Sequence, residues 1–303
     1  MKQLTIVIAY YNIQYFEQTL ISLRNQSCKD FKVFVGNDKS PNDPQGIIEA
    51  YQEQLDLQYI HFGENLGGRD LTLQWKRCLQ YVNTEWFMIL GDDDMLSADA
   101  VEGFYKAIKT PEPQAKVLRY GIQIIDGEGV AQTDIIRYED MEPATEFIYK
   151  RAKNAVRSSL GEYIFRLKDY KVNGITSYPK AFYSDNMMVL ENAHFGPVKN
   201  VPFGHALIRI SENSFSGNDA NKKELTRSGY LFYTDLLVKY AVHFKTLHKD
   251  EFLDYVLAGY LTESNNLKLS QIIKLVFKNA SFKKCIIIFL RLLKRKLTAG
   301  NRS

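Results

Sequence analysis

Hydrophobic and polar positions over the first 110 residues alternate between two periods. Short apolar runs rich in β-branched and aromatic residues predict four strands, at residues 4–9, 31–35, 58–62 and 86–90. Between them, apolar residues recur every three or four positions and predict helices at residues 15–25, 45–55 and 71–81. Strands and helices that alternate in this way indicate an α/β fold, with a mostly parallel sheet flanked by crossover helices.

The pattern changes beyond residue 94. It predicts a helix at 98–108, a strand at 116–125 and a strand at 198–210 that Pro202 and Gly204 interrupt. Residues 145–195 are predicted to be irregular and mixed, and the chain is predicted to be helical from residue 221 onward. A stretch rich in Ser, Asn, Gly and Asp at 211–223 is typical of a boundary. We therefore predict a domain over residues 1–216 and a helical C-terminal region over residues 217–303.

Three adjacent carboxylates, Asp92, Asp93 and Asp94, follow the predicted buried strand at 86–90 after Gly91. Their charges repel one another, and no Lys or Arg is near them in sequence. A divalent cation held by oxygen ligands and shared with substrate phosphates would offset this repulsion. In open α/β sheets, ligands bind beyond the carboxyl ends of strands, which suits such a site. The alternative is a solvated turn before the next helix, with Ser97 as its N-cap.

Four segments that end the predicted strands occur in the order of a known family. They are residues 6–12 (IVIAYYN), 35–40 (VGNDKS), 65–68 (NLGG) and 90–94 (LGDDD). Together they resemble the family 2 glycosyltransferases of the GT-A fold, which are nucleotide-diphospho-sugar enzymes with a DxD-type metal motif. The resemblance covers about residues 1–216 and implies a Rossmann-like sheet, with a nucleotide-binding half over 1–110 and an acceptor half over 111–216. The chain departs from the family at Ala9, where the family has Pro, and at Gly91, where it has the first acid.

The resemblance implies a nucleotide site made of six residues. They are Ala9, Tyr11, Asp38, Gly67, Arg69 and Asp92. Tyr11 can stack on uracil and Asp38 can accept a hydrogen bond from its N3–H, whereas the alternatives are a core aromatic and an Asx-turn residue. Gly67 and Gly68 let the backbone approach a diphosphate closely. Arg69 either pairs with phosphate oxygens or is an ordinary surface arginine.

The metal and the catalytic base are likewise implied by the resemblance. Asp93 would face a Mg²⁺ or Mn²⁺ ion, with Asp92 and Asp94 in supporting positions. Residues 183–188 (YSDNMM) fit the place of the family's base, which makes Asp185 the predicted base and Glu191 the second candidate. The alternative makes Ser184 or Asp185 the N-cap of a helix at 186–193. Residues 209–216 (RISENSFS) resemble the stretch that follows in the family.

The implied reaction is an inverting, metal-dependent transfer of a sugar from a UDP-sugar to an acceptor hydroxyl. The acceptor would be a saccharide or a lipid-linked saccharide, in bacterial-type surface polysaccharide or glycolipid assembly. A nucleotidyltransferase that makes the activated sugar would need a Gly-rich basic loop after the first strand, and residues 8–12 contain none. A haloacid-dehalogenase-type phosphatase would carry its aspartates after the first strand instead of the fourth. A non-catalytic sugar- or nucleotide-binding protein stays open.

Charge is concentrated at the C-terminus. Residues 264–303 contain ten Lys and Arg and no Asp or Glu, and because the whole chain sums to +4, the rest sums to −6. Within this segment six apolar residues recur at helical spacing between the basic ones: Phe282, Cys285, Ile286, Phe289, Leu292 and Leu293. This predicts a basic amphipathic helix that contacts an anionic membrane surface and not nucleic acid. The alternative is a helix that packs on the catalytic domain through Ile287, Ile288 and Leu290.

Cysteine usage and hydropathy predict the compartment. The three widely spaced cysteines form no disulfide or metal-ligand pattern, and no apolar run reaches the roughly 18 residues of a spanning helix. The N-terminus lacks the apolar stretch of a signal peptide. We therefore predict a cytoplasmic protein, with peripheral attachment to the cytoplasmic face of a membrane if the C-terminal helix binds lipid.

Overall fold

The structure, a computed structural model, describes residues 2–109, 115–210, 221–262 and 268–300. Strands in these ranges form one sheet: β1 (Leu4–Tyr10), β2 (Phe31–Asn37), β3 (Leu57–His61), β4 (Trp86–Leu90), β5 (Met95–Leu96), β6 (Val117–Ile125), β7 (Met141–Pro143), β8 (Tyr163–Arg166) and β9 (Pro197–Arg209). The helices are α1 (Phe16–Arg24), α2 (Gln45–Tyr51), α3 (Leu71–Leu79), α4 (Ala100–Lys109), α5 (Ala144–Ala152), α6 (Leu167–Asn173), α7 (Ser184–Asn192), α8 (Lys222–Lys239), α9 (Thr246–Thr262), α10 (Leu269–Asn279) and α11 (Phe282–Gly300).

The sheet has the order β3-β2-β1-β4-β8-β6-β9-β5, and β7 pairs with β9. β1 is parallel to both β2 and β4, and β2 is parallel to β3. The chain therefore moves outward from β1 to β3 and then crosses to the other side of β1 at β4. That reversal creates a topological switch point between β1 and β4, which is where open α/β sheets bind ligands.

The predicted α/β class is confirmed, and the structure shows where the sheet is parallel. Parallel pairing joins β3, β2, β1 and β4, and it joins β6 to β9. β8 is antiparallel to both of its neighbours, β4 and β6, so the sheet is mixed in its second half. The strands β1 and β4 are buried along almost their whole length because helices cover both faces, which explains why they read as continuous apolar runs.

A buried ion pair holds the second half of the sheet together. Arg119 of β6 donates from Nη2 to Glu142 Oε2 of β7 at 2.6 Å and from Nε to Asn200 Oδ1 of β9 at 2.8 Å. The guanidinium carbon also lies 3.6 Å from the ring centroid of Tyr138. These contacts pair the charge of the buried guanidinium and give two of its N–H groups an acceptor, which stabilises it at such a position.

The prediction of irregular structure over residues 145–195 is wrong. This segment contains α5, β8, α6 and α7, but its helices have only seven to nine residues and their apolar pattern is weak. Six non-glycine residues of this segment also have positive φ, among them Lys180, Ala181 and Tyr183 just before α7, and tertiary contacts must impose this conformation. The predicted interruption of the last strand is an irregularity inside β9, where one residue of β6, Tyr120, lies opposite four residues of β9, 201–204, which include Gly204.

Contacts divide the chain into two compact units. The first comprises Met1–Phe147, Arg157–Ser177 and Ser184–Asn221 and contains the sheet. The second comprises Ile148–Val156, Tyr178–Tyr183 and Lys222–Ser303, and it contains the helices α8 to α11. The helical C-terminal region was predicted correctly over the residues that are described, whereas the predicted boundary near residue 216 lies outside them and stays a prediction.

The second unit has an aromatic core of its own. Tyr233 stacks on Tyr255 with ring centroids 4.4 Å apart and lies 5.0 Å from Phe252. Tyr183 stacks on Phe232 at 5.1 Å. None of the helices described in either unit is both long and apolar enough to cross a bilayer.

Candidate functional site

Hydrogen bonds link the loops that follow β4, β1 and β2 at the carboxyl edge of the sheet. Asp92 Oδ2, after β4, accepts from Tyr11 N and from Asn12 N, both at 2.7 Å. The carbonyl oxygen of Tyr11 in turn accepts from Ser40 Oγ, in the loop after β2, at 2.6 Å. The switch point between β1 and β4 is thus spanned by an aspartate carboxylate.

Asp38 extends this row of contacts to the loop after β3. Its Oδ1 accepts from Leu66 N at 2.8 Å and from Arg77 Nη2 at 2.5 Å, while Oδ2 accepts from Gly67 N at 2.7 Å. A Cβ at Gly67 would lie 2.6 Å from Asp38 Oδ2, so only glycine fits this approach. Asp38 is 3% exposed. The ends of four successive parallel strands are therefore tied together at one edge.

The three acids after β4 differ in their contacts. The Asp94 carboxylate is buried, and its Oδ1 accepts from Arg209 N at 2.9 Å. Thr19 Oγ1 donates to the carbonyl oxygen of Asp94 at 2.8 Å and so holds the turn to α1. The Asp93 carboxylate, by contrast, is half-buried and accepts no hydrogen bond from any other residue in the described part of the chain. It is the acid whose oxygens are available to a ligand.

The glycine that replaces the family's first acid has a steric reason. A Cβ at Gly91 would lie 2.7 Å from Asp93 Oδ1 and 3.0 Å from Asp94 Oδ2. A Cβ at Gly161, in the turn before β8, would lie 3.2 Å from Asp94 Oδ2. The carboxylates of this chain therefore fold back over Gly91 into space that a larger side chain would occupy.

Arg209, at the end of β9, lies beside the acidic turn formed by Asp92, Asp93 and Asp94, although no Lys or Arg is near these residues in the sequence. Its Nε donates to the carbonyl oxygen of Asp93 at 2.9 Å, and Nη1 donates to the carbonyl oxygens of Asp126 and Gly127 at 2.8 and 2.9 Å. Its Nη2 donates to Gln18 Oε1 at 2.7 Å. No Lys or Arg lies near the acids in the sequence, but β9 brings the charge of Arg209 beside them from more than 100 residues away.

Burial raises the pKa values of all three acids, and the charge of a neighbouring acid adds to this for Asp92 and Asp94. For Asp92, burial and the neighbouring charge of Asp93 raise the pKa from 3.8 to about 7, against the effect of the two N–H donors. Burial raises the pKa of Asp93, and the charge of Arg209 opposes this. Burial, followed by the charge of Asp93, raises the pKa of Asp94 well above its usual value. A positive charge placed among these groups would lower all three pKa values.

The acidic turn fits a hard divalent cation in part. Among the described residues, no three His, Cys, Asp or Glu side chains converge in the arrangement of a metal site. However, Mg²⁺ is commonly held by only one or two carboxylates together with substrate phosphates and water. The free carboxylate of Asp93 and the Oδ1 atom of Asp92, which the loop after β1 leaves unengaged, supply such a set.

Other predicted residues lie on the same edge. The ring of Tyr11 is 47% exposed and so is accessible to a base. Arg69 is exposed, and its guanidinium makes no hydrogen bond or ion pair within the described ranges. Ala9, the residue in the place of the family's proline, is half-buried in β1 opposite Gly36 of β2. Each role in nucleotide binding stays a prediction.

The two candidate bases lie on α7. Asp185 is half-buried in the first turn of this helix, which packs on α6 and on β8, the strand next to β4. Glu191, one residue before the end of α7, accepts from Thr176 Oγ1 at 3.3 Å. Residues 211–216 of the segment that resembles the family's trailing stretch lie outside the described residues. The role of Asp185 as a base stays a prediction.

Sequence reasoning missed the contacts made by two arginines. The sequence marks Arg209 only as the first residue of the stretch at 209–216, and Arg77 only as one polar residue of the helix predicted at 71–81. Arg77 binds Asp38 and also lies over the ring of Phe62, with the guanidinium carbon 3.9 Å from the centroid. One signal in the sequence could have indicated the role of Arg209. It lies at the end of a predicted strand, and an arginine that is buried there requires acceptors nearby.

Comparison with known proteins identifies the family. Residues 5–170, more than half of the chain, match the model of glycosyl transferase family 2. A teichoic acid poly(glycerol phosphate) polymerase of Staphylococcus epidermidis is 30% identical over 107 residues, which are 33% of this chain and 14% of that protein. The chain therefore matches only a small part of that relative's length.

Solved structures show the same fold. Residues 1–349 of S. aureus TarS in complex with UDP-GlcNAc match with a TM-score of 0.63 and 19% identity, over 91% of this chain and 80% of that one. A longer S. aureus TarS structure matches with a TM-score of 0.61 and 18% identity, over 90% of this chain and 49% of that one. The order of motifs, the sheet and the matched family model agree, and the chain belongs to glycosyl transferase family 2 and is a glycosyltransferase.

Proposed function

We propose that this enzyme transfers a sugar from a UDP-sugar to an acceptor hydroxyl, with inversion at the anomeric carbon and with a bound Mg²⁺ or Mn²⁺. The observation that carries the proposal is the set of hydrogen bonds that joins the loops after β1, β2, β3 and β4, together with the acidic turn at the switch point. Support also comes from the TarS structures, which bind UDP-GlcNAc and UDP on a similar fold.

The nucleotide would lie across the ends of β1 to β4. The exposed ring of Tyr11 is suited to stack on uracil. Asp38 already accepts three hydrogen bonds from the protein and retains one lone pair, enough for a single N3–H. The free guanidinium of Arg69 and the backbone at Gly67 would contact the diphosphate, while Asp92 would contact the ribose.

The cation would be held by Asp93, with Asp92 and Asp94 in support. When bound, it would stabilise the negative charge that develops on the departing diphosphate. The chain itself holds Asp93 in position through Arg209, which binds the Asp93 carbonyl oxygen and leaves the carboxylate free. The raised pKa values of the three acids mark a place where a positive charge is favourable.

Asp185 is the proposed general base, and its carboxylate would take the proton of the acceptor hydroxyl as that oxygen attacks. The residues that precede it support a site with constrained geometry, because Lys180, Ala181 and Tyr183 have φ values of 53°, 57° and 65°. Non-glycine residues in this region are costly and cluster at functional segments. Glu191 is the second candidate for the same role.

The proposed acceptor class and location are supported by a relative of this chain and by the C-terminal region. A match to a teichoic acid polymerase supports a role in bacterial surface polysaccharide or glycolipid assembly. If the acceptor is a lipid-linked saccharide, the enzyme works at the cytoplasmic face of a membrane. The anionic-membrane contact predicted for the basic C-terminal helix is part of this proposal.

The test is a panel of UDP- and GDP-sugars with Mn²⁺ in which release of the nucleoside diphosphate is measured. We expect a UDP-sugar to be turned over and Asp93→Ala to abolish Mn²⁺-dependent UDP binding without loss of folding, since this carboxylate accepts no hydrogen bond from another described residue. Asp134→Ala, which removes an exposed acid elsewhere, is the control. Unchanged UDP affinity of Asp93→Ala with Mn²⁺ would refute the metal assignment.

The proposed base is tested separately. Asp185→Asn should bind UDP normally and lose on the order of 10²–10⁴ in turnover, and Glu191→Gln should lose much less. Wild-type turnover of Asp185→Asn would exclude this residue. If UDP binds but no sugar nucleotide is turned over, the chain acts as a binding protein, whereas pyrophosphate release from UTP and a sugar phosphate would indicate a nucleotidyltransferase.

A further inference from the structure

The orientation of α11 is unusual for a basic helix, because it directs basic residues inward. Lys284 Nζ lies 2.5 Å from Asp254 Oδ2, and Arg291 Nη1 lies 3.0 Å from Asp254 Oδ1, both within the second unit. Ile288, on the same side of the helix, is almost fully buried. Asp254 therefore fixes the rotation of α11 about its own axis.

This rotation leaves an apolar stripe exposed on the opposite side. Phe282, Ile286, Leu290 and Leu293 follow one another at spacings of four, four and three residues, which places them on one face. Phe282 is 84% exposed and Leu290 is 61% exposed. The stripe differs from the predicted one, in which Cys285, Phe289 and Leu292 took part, because these three residues are half-buried.

The end of α10 extends the same apolar surface. Phe277 is 68% exposed, and its ring centroid lies 5.6 Å from that of Phe289. Between the two helices is a surface groove of about 570 Å³ whose lining includes Phe277, Phe282, Ile286 and Leu290. We call this surface, formed by Phe277, Phe282, Ile286, Leu290 and Leu293, the C-terminal apolar face. Contiguous exposed apolar surface of this kind marks an interaction site.

The charges around the face favour an anionic occupant. Residues 268–293 contain six Lys and Arg and no Asp or Glu. Lys274, Lys278 and Lys283 are exposed and form no ion pair or hydrogen bond within the described residues. A second copy of this chain would bring like charges together, since the nearby acid Asp254 is already paired with Lys284 and Arg291. Nucleic acid would use the lysines but would leave the branched aliphatic side chains Ile286, Leu290 and Leu293 without a suitable contact.

We infer that the C-terminal apolar face docks on an anionic lipid bilayer, with its apolar side chains in the interfacial region and the three free lysines at the headgroups. Helices that lie in the membrane plane combine these two features. The inference extends the membrane contact of the proposed function and names the surface that makes it. Its readout is lipid binding and not nucleotide release, so either can fail without the other.

The first test is co-sedimentation of the full chain with vesicles of phosphatidylcholine alone or mixed with phosphatidylglycerol, at low and high salt. We expect binding to the mixed vesicles, weakened but not abolished by salt, because screening acts on the lysines and not on the apolar contact. Leu290→Asp should reduce binding at least about tenfold. Its matched control is Leu247→Asp, which alters a leucine of the second unit that is also 61% exposed and should bind like wild type.

The lysines are tested with a matched pair of triple variants. Replacing Lys274, Lys278 and Lys283 by Gln should reduce partition by roughly fivefold per lysine, hence on the order of 100-fold at low salt. Replacing Lys109, Lys168 and Lys171 by Gln removes the same net charge and should have a much smaller effect; these three exposed lysines lie outside the face and pair with no acid that the structure describes. Equal losses in the two variants would mean adsorption by net charge alone and would overturn the inference.

Insertion is tested with Phe282→Trp. The two native tryptophans, Trp75 and Trp86, are buried, so a blue shift on addition of mixed vesicles would come from the new side chain. Full-length protein that ignores phosphatidylglycerol vesicles at low salt would overturn the inference. So would a lipid-free dimer in sedimentation velocity that Leu290→Asp dissociates, because the face would then belong to a second copy.

Discussion

Arg209 is the residue through which the structure makes its sharpest prediction about the acidic turn. Its guanidinium satisfies the carbonyl oxygens of Asp93, Asp126 and Gly127 and the side chain of Gln18, and it lies 4.1 Å from the ring centroid of Tyr15. Each such hydrogen bond contributes about 1 kcal/mol net, so Arg209→Met should cost about 4 kcal/mol of unfolding free energy. Arg209→Lys retains the charge but not the fork of donors and should cost about 2 kcal/mol.

These losses are measured by denaturant or thermal unfolding, together with calorimetry of UDP binding in the presence of Mn²⁺. We expect Arg209→Lys to weaken Mn²⁺-dependent UDP binding at least about tenfold, equivalent to 1.4 kcal/mol, because the acidic turn loses its anchor. The matched control is Arg166→Lys, a buried arginine that pairs with Glu85 at the opposite end of β4. It should lose stability but bind UDP as wild type does. If Arg209→Lys and Arg166→Lys affect UDP binding equally, Arg209 acts only through general stability and the reasoning is wrong.

Three further predictions concern the same edge of the sheet. Gly91→Ala should weaken Mn²⁺-dependent UDP binding, since the new Cβ would displace the Asp93 carboxylate from a position 2.7 Å away; an unchanged affinity in calorimetry would contradict this. Tyr11→Ala should lose about 1–3 kcal/mol of UDP affinity and Tyr11→Phe should restore it, because the contact is stacking; equal affinities of all three proteins would argue against a role for the ring. The native state binds the Asp92 proton more tightly than the unfolded chain does, because its pKa is raised from 3.8 to about 7. Stability of the metal-free protein should therefore fall as the pH rises from about 4 through about 7, and Asp92→Asn should flatten this profile in thermal melts; a profile that Asp92→Asn leaves unchanged would exclude Asp92 as its source.

The parts of the fold that could be predicted are those with a local cause. β1 and β4 are buried on both faces, so their sequences are continuous apolar runs that mark strands without any knowledge of their neighbours. The four strand-end motifs follow from the same regularity, because parallel strands separated by helices must bring their carboxyl ends to one edge. The order of the motifs was thus enough to predict both the family and the edge.

The parts that could not be predicted depend on contacts between distant segments. Nothing near the acidic turn in sequence indicates that Arg209 completes it, or that Asp92 would bind the backbone after β1. The positive φ values before α7 are imposed by packing and leave no mark in sequence, since lysine, alanine and tyrosine do not favour them. In the sequence, Gly91 is simply the absence of an acid, whereas in the structure the neighbouring carboxylates occupy the space beside it.

The Asp92 carboxylate also allows ligand binding at this site to be followed by hydrogen exchange. Its Oδ2 joins the two sides of the switch point by accepting from the amides of Tyr11 and Asn12, whereas its Oδ1 accepts no hydrogen bond from another described residue. A ligand that binds Oδ1 leaves both amides protected from hydrogen exchange, whereas one that binds Oδ2 releases them and frees the loop that carries the Tyr11 ring. Hydrogen-exchange rates at the amides of Tyr11 and Asn12 therefore distinguish the two ways of binding. In the second, the free energy needed to release these amides lowers the affinity for the ligand.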